Sequence, residues 1–184
     1  MYKLLIGILL ISVNFSIEIG YITIGLVPDF IGYILIGRAL YELEDEATYF
    51  VAAQGPVKIM SIVSILMYII DLTGAVRYGF LFELLGVAIG IIYMLVGFAC
   101  LIMFAYITYL ITSGVQEMEG EYNEDMNGDK LMTAWKWMIG VKAVSYCLAL
   151  IAPYLPFVPL ALTSTLVLTL VIYLVQFYKS ARAY

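Results

Sequence analysis

Four carboxylates and one guanidinium interrupt apolar sequence in the first half of the chain: Glu18, Asp29, Asp71, Glu83 and Arg77. Acids at membrane depth are costly to bury, which makes them candidates for function. Gathered on one side of a membrane they would form an outward-facing acidic pocket for a cation, an amine or a basic peptide. Two carboxylates brought together raise one pKa unless a cation intervenes, so Arg77 or a bound cation is expected beside them. The structural alternative is plainer: Asp29 caps a helix, Arg77 pairs with Asp71 or Glu83, and Glu18 is solvated. Asp29, Tyr33, Ile36 and Leu40 share one helical face, so Tyr33 would sit below the acids. At about 100° per residue, Ser61, Ser64, Tyr68 and Asp71 share another. That second stripe is either a pathway inward or interhelical hydrogen bonding. Lys142, inside a later apolar helix, either snorkels to the surface or pairs with an acid. Snorkelling is the reading taken here, because Lys142 lies only about 18 Å along its helix from Lys130.

Other chemistry is excluded by what the chain lacks. It has no histidine and two cysteines, Cys100 and Cys147, both within apolar sequence. Imidazole or thiolate metal sites and histidine-assisted nucleophiles have no residues to build them. No metal, cofactor or disulfide framework is expected. An aspartate pair for intramembrane proteolysis would need two aspartates at one depth, and neither Asp29 nor Asp71 sits in a protease motif. The enzyme question stays open but leans to no. A net charge of −5 argues against nucleic acid.

The elements that must position these residues are helices. The chain of 184 residues is 64% hydrophobic and 12% charged, where a soluble domain is near half apolar and about a quarter charged. Solid apolar runs exclude an alternating β-barrel pattern. The fold class is all-α: a polytopic membrane bundle of about six transmembrane helices, with an irregular segment before the second. The first helix is expected over 2–17 and retained, since no small-x-small cleavage site follows it. Residues 18–27 are rich in β-branched side chains and carry Gly20 and Gly25, so they read as an extended loop. Pro28 suits the first position of a helix over 28–43, and Asp29 meets the free N–H groups there. Residues 44–54 read as an amphipathic interfacial segment, ended by Gly55-Pro56, which open a third helix over 56–72. A fourth runs from Phe80 with no breaker before about Gly114, too long for one crossing unless tilted or protruding. Residues 116–129 form an acidic cytoplasmic loop. A fifth helix covers 130–151 and a sixth, opened at Pro156, runs to about Tyr178. The whole of 1–184 is one domain. Gly86, Gly90 and Gly97 form a narrow stripe where two helix backbones could approach, within the chain or against a partner.

The string PDFIGYILI, followed by an acidic segment ending in Tyr49-Phe50, resembles a motif of uncharacterised multi-pass membrane proteins of Gram-positive bacteria. Those often read LPDFIGYILI; Val27 stands here in place of the leucine. The resemblance covers about residues 20–50 and implies a bacterial inner-membrane setting but no activity. Asp29 is the polar position it carries over. Orientation follows from lysine and arginine: Lys3, Arg38, Lys58, Lys130, Lys136, Lys179 and Arg182 fall on one side of a six-helix chain, with Arg77 opposite. Both termini are therefore expected in the cytoplasm. The expected function is a non-catalytic accessory or interaction subunit of a membrane complex. The alternative is a small transporter or channel using the outer acids. The expected surroundings are the lipid bilayer, with a membrane-protein partner or a homo-oligomer allowed by the glycine stripe.

Overall fold

The computed structural model describes residues 1–13, 16–19, 22–25, 28–73, 80–122, 126–148 and 158–184. They form six helices: α1 (Tyr2–Ser12), α2 (Asp29–Glu42), α3 (Thr48–Thr73), α4 (Phe80–Tyr122), α5 (Gly128–Leu148) and α6 (Val158–Ala183). Consecutive helices pack side by side, and α6 returns to α1 to close the ring. Three stretches are long and apolar enough to cross a membrane: Thr48–Ile70, Met94–Tyr122 and Ala161–Ala183. By length and composition, these helices suit a helical membrane protein. At 11 and 14 residues, α1 and α2 fall short of the roughly 20 that a crossing needs. Helix α5 carries Asp129, Lys130, Lys136 and Lys142.

The segment before α2 is not irregular throughout. It holds an antiparallel hairpin, β1 (Ser16–Ile19) and β2 (Ile22–Gly25), with Ser16 opposite Gly25 and Ile19 opposite Ile22. Pairing satisfies backbone groups that a lone extended strand would leave bare in lipid. The first helix accordingly stops at Ser12, short of residue 17, and Val13 is already extended.

A second correction concerns Pro56. No interfacial helix ends there; α3 runs through the proline from Thr48 to Thr73. Proline in a helix removes one backbone hydrogen bond and crowds the preceding turn. Packing overrides it, because Phe50, Ala53, Val57 and Met60 form one buried stripe that crosses position 56. Helix α4 is longer than its expected breaker at Gly114 allowed, with 43 residues and a length of about 64 Å. Its final turns consume the first part of the acidic loop. The start of α5 moves to Gly128, preceded by Asn127 in the left-handed region at φ 58°, a conformation that asparagine tolerates better than most residues. Helix α5 ends at Leu148, and α6 continues past Tyr178 to Ala183.

The buried core lies toward the end of the ring that carries both termini. Phe104, Ile107, Ile111, Val115 and Met118 line α4 at helical spacing and meet Tyr173 and Phe177 of α6 and Leu40 and Ile36 of α2 in one cluster. Polar bonds pin this cluster from within. Thr112 and Tyr173 share a hydrogen bond of 3.1 Å between hydroxyls. Trp135 Nε1 donates to Thr108 Oγ1 at 3.0 Å. Ser180 Oγ donates to the carbonyl of Met126 at 2.6 Å.

Candidate polar layer and helix-end contacts

Tyr33 of α2, Cys100 of α4 and Lys142 of α5 all lie within electrostatic reach of Asp29. Asp29 is the acid of the first turn of α2, where the positive dipole end favours its charge. That charge bears on Tyr33, Cys100 and Lys142 alike. Tyr33 is buried at 4% exposure, and Asp29, Cys100 and Lys142 are half-buried. Lys142 Nζ lies 3.8 Å from the ring centroid of Phe104, itself buried. A cation this close to an aromatic face is held by the ring quadrupole. Lys142 therefore turns into the bundle, against the snorkelling expectation. Its position is about 21 Å along α5 from Gly128, and Asp29 is about 20 Å along α2 from Glu42, so both lie at a similar distance from the terminal end.

Two buried hydroxyls border this layer. Ser145 Oγ, one turn beyond Lys142, has no hydrogen-bond partner among the described residues, and neither has Ser12 Oγ. Helices α1 and α2 run antiparallel, with Gly7 against Ile36 and Gly32 against Ile11. This places Ser12 level with the start of α2.

The sequence-predicted pocket is only partly within reach. Arg77 and the side chains of Glu18, Asp71 and Glu83 lie outside the described residues. Tyr68 does approach α2, through Phe30, with ring centroids 5.8 Å apart. In the serine stripe below it, both hydroxyl protons are used within α3. Ser61 Oγ donates to the carbonyl of Val57 at 2.9 Å, and Ser64 Oγ to that of Met60 at 2.7 Å. Both hydroxyls are satisfied on their own helix.

The glycine stripe of α4 divides. Gly97 faces Tyr146 of α5, whose hydroxyl donates to the carbonyl of Met94. Among the described residues Gly86 meets nothing within 4 Å, and the surroundings of Gly90 lie outside them. Among the described residues, the tightest approach of a glycine to another backbone is elsewhere. A Cβ on Gly7 would stand 2.9 Å from the carbonyl oxygen of Gly32, and one on Gly32 would stand 2.8 Å from that of Gly7. Helices α1 and α2 thus cross with backbones nearly touching, as small residues permit.

At the terminal end, acids that read as a loop surface are bound within the chain. Glu117 of α4 accepts from Thr48 Oγ1 at 2.7 Å and from the N–H of Tyr49 at 3.3 Å. Glu119 accepts from the N–H of Gly128 at 2.7 Å. One helix thereby caps the N-termini of both its neighbours, where free N–H groups and the dipole favour a carboxylate. Glu46 accepts from the hydroxyls of Tyr122 at 2.6 Å and Tyr184 at 3.3 Å. Glu42 pairs with Lys3, an exposed contact of little energetic weight.

Sequence reasoning isolated Asp29, Tyr33 and Lys142 but not their association. A charge amid apolar residues marks Lys142; its direction depends on how α5 is rotated against α4. Comparisons with protein-family models, with curated proteins and with solved structures find no match.

Proposed function

We propose that the chain is a small transporter for a cation or an amine, with Asp29 as the carboxylate that the moving ion meets. The carrying observation is that Lys142 points inward, over Phe104 and within the field of Asp29, in sequence otherwise built to face lipid. Ionisable groups inside a membrane are functional candidates by default, because burying them is costly. Two buried hydroxyls with no hydrogen-bond partner among the described residues border the same layer. Lys142 is a tethered ammonium beside a carboxylate, so an incoming cation would compete with it for the same negative charge. The accessory-subunit reading draws on the glycine stripe, the length of α4, the acidic segment of 116–129 and the missing catalytic set. Glu117, Glu119 and Glu46 are engaged inside the chain, and Gly97 is covered by Tyr146.

The setting belongs to the same proposal. It has six helices embedded in a bacterial cytoplasmic membrane, both termini on the cytoplasmic side, and the layer of Asp29 and Lys142 beyond the midplane toward the outside. The relationship to Gram-positive proteins carrying PDFIGYILI is part of it.

The test is flux into proteoliposomes. Uptake of radiolabelled methylammonium, and of rubidium as a potassium tracer, is measured under an imposed membrane potential. Uptake above that of protein-free liposomes, abolished by Asp29→Asn and altered in apparent affinity by Lys142→Met, is expected. If neither ion enters faster than into empty liposomes, the transport reading fails.

A further inference from the structure

On the side of the chain termini, a groove of about 360 Å³ runs between α5 and α6, lined by Asp129, Lys130, Thr133, Trp137, Ile172 and Gln176. Its lining changes character with depth. Lys130 and Thr133 are exposed at the rim. Trp137, about 10 Å further along α5, is 68% exposed, and Ile172 across from it is 45% exposed. Gln176 Oε1 is buried with no hydrogen-bond partner among the described residues. Lys179, three residues beyond Gln176 on α6 and outside the groove's lining, is exposed.

Among the described residues, two ammonium groups, Lys130 and Lys179, stand here against one carboxylate, Asp129. Lys130 Nζ donates one hydrogen bond to Asn127 Oδ1 at 2.8 Å, which among the described residues leaves two of its three N–H groups for another acceptor. Asp129 is held from the α4 side, where Gln116 Nε2 donates to its Oδ1 at 3.1 Å. A tryptophan at the boundary between charged and apolar surface is placed as interfacial tryptophans are. Basic grooves between helices at headgroup depth suit anionic lipid.

We propose that this groove holds one anionic phospholipid of the adjoining leaflet, its phosphate between Lys130 and Lys179 and its upper acyl chain against Trp137 and Ile172. The charge pattern selects the headgroup, and the descent from lysine to tryptophan matches the descent from phosphate to hydrocarbon. This site is separate from the layer of Asp29 and Lys142 and stands whether or not the chain transports.

The chain has two tryptophans, so Trp135→Phe leaves Trp137 as the only indole. That variant is reconstituted in phosphatidylcholine vesicles containing either brominated phosphatidylglycerol or brominated phosphatidylcholine at equal mole fraction. Stronger quenching of Trp137 by the brominated phosphatidylglycerol is expected. Adding Lys130→Gln and Lys179→Gln should make the two lipids equivalent. In the chain with both lysines, 1 M salt should weaken the preference, because exposed charges are screened. Equal quenching by the two lipids overturns the proposal. So does a preference that survives both lysine substitutions or is indifferent to salt.

Discussion

Replacing Gly32 by alanine tests the crossing of α1 and α2. The new Cβ would stand 2.8 Å from the carbonyl oxygen of Gly7 and 2.5 Å from Ile11 Cγ2. A backbone oxygen cannot swing aside as a side chain can, so the helices must separate. Overpacking of this kind costs about 1–3 kcal/mol. Alanine also favours the helix over glycine by about 1 kcal/mol, which would mask part of the loss. Gly140→Ala supplies the control, since Gly140 lies inside α5 with nothing within 4 Å of its Cβ direction. The propensity gain is common to both, so the difference between the two variants isolates the packing penalty. Gly7→Ala should behave like Gly32→Ala. The double variant should lose less than the sum, because one separation of the helices accommodates both methyl groups, a coupling of about 0.5–3 kcal/mol. The assay is thermal unfolding in detergent followed by circular dichroism at 222 nm. If Gly32→Ala gains as much stability as Gly140→Ala, the backbones are not in contact and the account of the crossing is wrong.

Two further predictions concern the terminal end. Glu117→Ala should destabilise by about 1 kcal/mol, the usual loss of an N-terminal cap, while Glu117→Gln should lose less because an acceptor remains; identical melting of both variants and the parent would remove the cap. For Tyr184, burial, then the charge of Glu46 and the hydrogen bond to it, push the hydroxyl above the usual tyrosine value. The folded state holds that proton more tightly, so its contribution is present below the unfolded value of about 10 and lost as pH rises toward the folded one. Melting temperature should therefore fall from about pH 10 upward, less steeply in Tyr184→Phe; parallel curves for variant and parent would contradict this.

The membrane class, the start of α2 behind Pro28 and the persistence of α4 were legible locally. Each depends on composition or on one residue's backbone preference. Pro56 shows where local reading stops. Its covalent geometry argues for a break, yet Phe50, Ala53, Val57 and Met60 gain enough by packing together to carry the helix across it. The hairpin of Ser16–Gly25 was half visible, in β-branched residues punctuated by glycine; its pairing was not, since register depends on contacts between strands. The acids of 117–119 look like solvated surface in one dimension. They become caps because the ring closure brings the N-termini of α3 and α5 alongside the end of α4.

The candidate site divides the same way. Sequence alone named Asp29, Tyr33 and Lys142 as polar groups where lipid-facing residues were expected, because the energetic penalty of burying charge does not depend on the fold. Whether Lys142 turned to the surface or to an acid depended on the rotation of one helix about its axis. That rotation is set by the sum of contacts along α5: Met138, Ala134 and Leu131 buried below, Trp135 bonded to Thr108, Tyr146 seated at Gly97. A lysine spans several ångströms in any direction, so its own sequence neighbourhood leaves its target open, and only the packing of α5 against α4 aims it at Phe104.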